Sequence, residues 1–201
     1  MIKIERLVLA TGNQGKYEEF KAMLPHSLVN ELVFAPELGR IAVEETGKTY
    51  VDNALLKARA WAAASGLPCL ADDSGIEADA LGGAPGVHSA RIVPGSDADR
   101  NDWLLSQLRG KADRRGRFVA ALALVVPEEW TLVCEGKCPG RIAEAPAGCG
   151  GFGYDPLFVP DGFEVSFAEL PPETKNAISH RAVALKRMLG VLSHGDAMND
   201  E

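Results

Sequence analysis

Four short stretches of the chain carry residue types suited to chemistry on an anionic ligand. The first is LATGNQGK, residues 9–16. An apolar run enters a glycine-bearing turn and then a helix start. Free backbone N–H groups and the positive end of a helix dipole therefore face one place, which attracts phosphate. Thr11 and Asn13 add side-chain hydrogen bonds, and Lys16 supplies a full charge in the first helical turn. The GxxxxGK[ST] spacing of a Walker A loop is absent. The same residues also fit an ordinary strand-to-helix turn with Asn13 as its cap.

The second stretch is a pair of acidic clusters, EET at 44–46 and ADDSG at 71–75. Hard divalent cations take oxygen ligands, and Mg²⁺ typically uses one or two carboxylates together with substrate phosphates and waters. A carboxylate beside metal-bound water can orient it or accept its proton. Asp72 and Asp73 point to opposite faces if strand geometry persists through them, so one faces a ligand while the other braces the turn. Solvated turn acids are the plainer alternative. The third stretch, GGFGYDP at 150–156, lets backbone approach a ligand closely, offers the rings of Phe152 and Tyr154 to a base, and holds Asp155 extended before Pro156. A tight turn with two core aromatics fits it equally. The fourth, ELPPETKNAISHRA at 169–182, gathers Lys175, His180 and Arg181 near a helix start, suited to an anion or to carbonyl oxygens on a base. A solvated basic face is the bland reading there.

These residues need a scaffold, and the hydrophobic pattern supplies one. Residues 4–10 read as a buried strand, and a helix is predicted over about 15–24 with Tyr17, Phe20, Met23 and Leu24 on one face. Thr49 and Asp52 have capping-box spacing and open a second helix, whose stripe is Val51, Ala54, Leu55, Ala58 and Trp61. Residues 68–75 read as a short strand ending in the acids, and 79–91 as a Gly/Pro-bearing loop. Ser96 and Asp99 open a third helix to about Leu108, with Gly110 as its stop. Residues 117–126 and 130–138 are strand-like, and the connection at 127–129 predicts an antiparallel pair. A last helix is predicted from Ser179, carrying Val183, Leu185, Met188, Leu189 and Leu192, before a polar tail. This order predicts an α/β fold with a central mixed β-sheet flanked by helices.

The bulk numbers set limits on the rest. At 201 residues the chain suits a single domain over 1–195 with a polar tail at 196–201. Its 46% hydrophobic content excludes disorder, and no apolar run reaches the length of a membrane span. The start, MIKIERLVLATGN, lacks the apolar core of a signal peptide. A net charge of −7 argues against a nucleic-acid partner. The four cysteines, at 69, 134, 138 and 149, form no CxxC pair and read as free thiols of a reducing cytosol.

Taken in order, LATGNQGK, EETGKTYVDNALLKA, LADDSGIEADALGGAPGVHSAR, GGFGYDPLF and FAELPPETKNAISHRAVAL resemble the non-canonical purine NTP pyrophosphatases, the inosine/xanthosine triphosphatase family. The resemblance runs from Leu9 to about Leu185. It implies an elongated two-lobed fold with a nucleotide cleft between the lobes and a homodimer, while the free thiols point to cytoplasmic residence. It implies Mg²⁺-dependent hydrolysis of ITP, dITP and XTP to the nucleoside monophosphate and pyrophosphate, which keeps them out of DNA and RNA. Residue by residue, Thr11, Gly12, Asn13, Gln14, Gly15 and Lys16 hold the phosphates, with Lys57 assisting. By the same resemblance Asp73 would be the general base and a metal ligand. Glu44, or else Glu45, is the other ligand, with Glu44 the favoured one. Ser74 contacts substrate, and Phe152, Gly153, Tyr154, Asp155, Lys175, His180 and Arg181 cradle the nucleoside. His88, Cys149 and Ala182 depart from the pattern, at places where Tyr, Thr and Gly are familiar. A related house-cleaning pyrophosphatase acting on pyrimidine or modified nucleotides is the alternative reading.

Overall fold

Strands and helices alternate through the first half of the chain in the computed structural model, which describes residues 3–194. Strand β1 (Ile4–Leu9) lies parallel to β2 (Val29–Phe34), with Leu7 opposite Leu32, and parallel to β3 (Cys69–Ala78), with Val8 opposite Cys69. Strands β4 (Arg115–Val126) and β5 (Trp130–Ile142) follow, and β6 (Phe158–Pro160) pairs antiparallel with β5. The order across the sheet is β2-β1-β3-β4-β5-β6. Residues 127–129 are too short to cross over between parallel strands, so β4 and β5 run antiparallel as expected. The mixed α/β sheet expected from the sequence is the one the chain builds.

Among the described residues five α-helices accompany the sheet: α1 (Gln14–Met23), α2 (Tyr50–Ser65), α3 (Asp97–Gln107), α4 (Pro172–Ile178) and α5 (His180–His194). Both predicted capping boxes form. Thr49 and Ser96 each accept from the backbone N–H three residues on, while Asp52 and Asp99 reach back to the cap. Gly66 closes α2 in the left-handed conformation with φ 68°, which a side chain disfavours.

Four expectations are corrected. β3 does not end in the acids but continues to Ala78, so Asp72 and Asp73 stand in mid-strand. β5 runs on to Ile142. Helix α4 was not expected: Pro172 starts it where its missing N–H costs nothing, Ser179 turns extended after it, and the last helix expected from Ser179 then follows as α5. Strands β2 and β6 were not expected; β6 is only three residues long, and VNELVF in β2 alternates weakly. The predicted tail at 196–201 lies outside the described residues.

The chain divides into two compact units. The first holds residues up to 73, 120–136 and from 181 on. Its core joins Leu7 and Leu9 of β1, Phe20 of α1, Leu70 of β3, Leu122 and Leu124 of β4, and Leu185, Met188 and Leu192 of α5. Removing from water a side chain as large as Phe20 contributes roughly 1.5–3 kcal/mol. Helix α2 buries a narrow stripe of Ala54, Ala58, Trp61 and Ala62, whose small residues let it lie close to its neighbours. The second unit holds residues 74–119 and 137–180. Phe118, Phe158 and Phe167 pack there with Ile76, Leu104, Ile142 and Leu157.

Candidate functional site

The predicted site residues divide between the units, because the boundary falls between Asp73 and Ser74 and again between His180 and Arg181. In the first unit, Asn13 caps α1 as its sequence position suggested: its Oδ1 accepts the Lys16 N–H at 3.0 Å, and Thr11 Oγ1 accepts the Asn13 N–H at 3.1 Å. Gly12 lies in the turn between β1 and α1, and Gln14 and Gly15 are the first two residues of the helix. Lys16 Nζ lies 2.6 Å from Asp72 Oδ2. Burial pulls the Lys16 pKa down; Asp72 opposes this, while Arg181 and Lys57 add to it.

Mid-strand geometry sends the two aspartates to different helices. Asp72 Oδ2 accepts from Lys16 of α1 and, at 3.3 Å, from Arg181 Nε of α5. Arg181 also donates to Glu19 Oε2 at 3.1 Å. Asp73 turns to α2, where its Oδ1 meets Lys57 Nζ at 2.8 Å and its Oδ2 accepts from Asn53 Nδ2 at 3.3 Å. Lys57 Nζ meets Glu45 Oε1 at 2.8 Å as well, so one ammonium holds two carboxylates together. Burial works to lower the Lys57 pKa, yet Asp73 and Glu45 outweigh it and hold the lysine above its ordinary value. Burial raises the Asp73 pKa against the pull of Lys57, which makes its carboxylate a better proton acceptor.

Of the two acids in EET, Glu45 is half-buried beside Lys57 and Glu44 is exposed. Glu45 and Asp73 supply hard oxygen donors from two elements, and two carboxylates are the usual protein share of a Mg²⁺ site. The donor set fits Mg²⁺. Among the described residues no group of three or more His, Cys, Asp or Glu side chains gathers as a metal cage, so further ligands would have to come from substrate and water.

In the second unit, Asp155 is buried and accepts the Phe152 N–H at 2.8 Å, while Lys175 Nζ of α4 makes a close ion pair with the same oxygen. Gly151, with φ 69°, has no room for a Cβ against the Asp155 carboxylate, so the GGFGYDP turn is wound around that acid. Lys175 Nζ stands 4.8 Å from the centre of the Phe152 ring and 5.7 Å from that of Phe167. Gly153 is fixed through its N–H to Asp97 Oδ2 at 2.7 Å and its carbonyl to Asn101 Nδ2 at 3.1 Å. The two rings of the motif differ in role. Tyr154 is a core residue whose hydroxyl donates to the Ser89 carbonyl at 2.9 Å, and burial pushes its pKa up to about 12. Phe152 is half-buried and is the ring available to a flat ligand. His180 is buried, stacked on Phe118 at 4.7 Å between centroids with an interplanar angle of 10°. Ser74 follows Asp73 on β3 and is half-buried.

Lys175 and Arg181 thus each meet carboxylates, Asp155 for one and Asp72 with Glu19 for the other. Asn53 and Glu19 were not singled out from the sequence, whereas Asp72 was, as one of the two acids of ADDSG that diverge along the strand. The signal for Asn53 was there to be read: an amide inside the apolar stripe of α2, four residues before Lys57.

The model of the Ham1 family matches residues 7–191. The dITP/XTP pyrophosphatase of Symbiobacterium thermophilum is 52% identical over 188 residues, covering 92% of this chain and 93% of that protein. The dITP/XTP pyrophosphatase of Nocardia farcinica is 57% identical over 195 residues, covering 94% of this chain and 95% of its own. Among solved structures, a HAM1 protein from Coxiella burnetii superimposes with a TM-score of 0.84 at 39% identity, covering 95% of this chain and all of that one.

Proposed function

We propose, because the chain belongs to the Ham1 family, that it hydrolyses the non-canonical purine nucleoside triphosphates dITP, XTP and ITP to the monophosphate and pyrophosphate, and so clears them from the nucleotide pool. The observation that carries this reading is the arrangement of buried Asp73 with half-buried Lys57 and Glu45, in which one carboxylate is fixed by two donors beside a second carboxylate. The alternative of a pyrimidine-directed pyrophosphatase is not favoured, since the relatives are named for dITP and XTP.

In this mechanism Asp73 orients a water and accepts its proton as the water oxygen bonds to phosphorus. The bond to the oxygen bridging the α and β phosphates breaks, and pyrophosphate leaves. Thr11, Gly12, Asn13, Gln14, Gly15 and Lys16 bind the phosphates through the turn and the α1 N-terminus. Lys57 offsets charge next to Asp73. Glu45 with Asp73 would hold Mg²⁺, which when bound neutralises the phosphate oxygens and the leaving group. We assign the second carboxylate to Glu45 rather than Glu44, because Glu45 is the acid that shares Lys57 with Asp73.

Phe152 gives a face to the base, Gly153 and Asp155 shape the turn, and Lys175, His180, Arg181 and Ser74 contribute polar contacts. Tyr154 acts from within the core. Hypoxanthine and xanthine carry a 6-oxo acceptor where adenine carries an amino donor. Donors fixed toward that position are left unmatched by adenine, which costs affinity. Homodimer formation, which rests on the family resemblance, and cytoplasmic residence, which rests on the free cysteines, belong to the same proposal. Among the described residues no helix is long and apolar enough to cross a membrane. Pyrophosphate release from a panel of nucleotides, with Mg²⁺ and with EDTA, tests the reading.

A further inference from the structure

Asn53 sits in the second turn of α2, fully buried, at a place where an amide is a poor helix former because it competes for backbone hydrogen bonds. Both ends of its amide are engaged. Its Oδ1 accepts the Gly47 backbone N–H at 2.8 Å, and its Nδ2 donates to Asp73 Oδ2 at 3.3 Å. These partners fix the orientation, since only the oxygen accepts an N–H and only the nitrogen donates to a carboxylate. Gly47 closes the arrangement from the loop side. A Cβ there would lie 2.6 Å from Asn53 Oδ1 and 2.9 Å from the Asn53 backbone nitrogen, so glycine is demanded by close approach to the helix. Glu45 is two residues before Gly47, and Lys57 is one helical turn beyond Asn53 on the same face.

We infer that Asn53 is a positioning residue: it clips the loop bearing Glu45 to Asp73, and so sets the placement of the two carboxylates before substrate arrives. The inference rests on the reading of Asp73 and Glu45 as the reacting pair. Lys57 attracts both acids, but an ammonium on a flexible four-carbon stem fixes little direction. The Asn53 amide is planar and neutral, and it is anchored at both ends. Its loss moves the loop without touching substrate, which lowers kcat and leaves KM largely alone.

The test compares the wild type with Asn53→Ala, Gly47→Ala, the double variant and Asn53→Asp. It measures steady-state hydrolysis of XTP and, by hydrogen–deuterium exchange on the nucleotide-free protein, protection of the Gly47 amide. Asn53→Ala is expected to lower kcat about 10- to 100-fold, the usual cost of losing an outer-shell partner, with KM changed less than about 3-fold. Exchange at Gly47 should accelerate while β1 stays protected. Gly47→Ala should lower kcat similarly, and the double variant should lose no more than the worse single variant. Asn53→Asp keeps the acceptor for Gly47 but presents no donor to Asp73, so it should keep the loop protected and still lose rate; it carries the test should Asn53→Ala fail to fold. Wild-type kcat in Asn53→Ala, or single losses that multiply in the double variant, overturns the inference. A wild type that releases no pyrophosphate from XTP defeats the functional reading instead, and exchange at Gly47 then judges the clip by itself.

Discussion

Asp72 and Asp73 are consecutive on β3 and hold different lysines: Asp72 Oδ2 lies 2.6 Å from Lys16 Nζ, and Asp73 Oδ1 lies 2.8 Å from Lys57 Nζ. The pleat of the strand sends one side chain toward α1 and α5 and the other toward α2. Asp72 thereby secures Lys16 in the first turn of α1 together with Arg181, while Asp73 gathers Lys57, Asn53 and, through Lys57, Glu45. Two acids of identical chemistry are given separate tasks by a single residue of offset, and variants at the two positions should fail in different ways.

Asp73→Asn should abolish turnover and leave the fold and most nucleotide affinity in place. The amide matches the carboxylate in shape but cannot accept the proton from water, and loss of a general base costs roughly 10²- to 10⁴-fold in rate. Single-turnover hydrolysis of ITP with parallel binding titrations measures both. Turnover at the wild-type rate sinks the catalytic assignment.

Asp72→Ala should instead reduce stability. It leaves buried Arg181 beside half-buried Lys16 with less compensation, and breaking a buried ion pair from one side costs about 3–5 kcal/mol. For a chain of this size each 1 kcal/mol lowers Tm by about 2–4 °C. Calorimetric melting checks this. An unchanged Tm would mean that Glu19 alone balances both cations.

Much of this arrangement can be read from the chain, and the exceptions have physical causes. The N-cap at Asn13 and the capping boxes at Thr49 and Ser96 are local, set by residues three apart, and were legible. The divergence of Asp72 and Asp73 follows from strand alternation. The strand's continuation to Ala78 was not visible, because the acids imitate a strand end when their partners, Lys16, Arg181, Lys57 and Asn53, lie elsewhere in the sequence. Tyr154 shows the same limit from the other side. Its type and motif suit base stacking, but its environment, core packing with a bond to Ser89, is tertiary. Asn53 is hidden in the apolar stripe of α2, because a buried amide within such a stripe declares its use only once Gly47 and Asp73 are placed.

Glu45→Gln should raise the Mg²⁺ concentration for half-maximal activity about 10-fold or more, in the range typical of weakened metal sites. Glu44→Gln, at an exposed side chain, should change it little. Mg²⁺ titrations of both variants separate the two acids, and the reverse pattern would return the ligand role to Glu44.

Stability should fall in alkali through the buried thiols. Burial pushes Cys69 and Cys138 up to about 12. The unfolded chain ionises them near the ordinary thiol value of 9.0. Above that pH the folded state binds more protons than the unfolded one, so stability decreases as pH rises. This contribution is complete below about pH 9 and gone above about pH 12. Denaturant midpoints of the wild type and Cys69→Ala between pH 8 and 11 measure it, with a flatter decline expected in the variant. Parallel slopes would exclude Cys69 as a contributor.

The most direct measurement is pyrophosphate release from ITP, dITP, XTP, ATP, GTP, CTP and UTP, each with Mg²⁺ and with EDTA. Metal-dependent release concentrated on ITP, dITP and XTP, with the monophosphate as the other product, is the predicted result. Equal or faster release from the pyrimidine nucleotides, or no release from any nucleotide by folded protein, would contradict it.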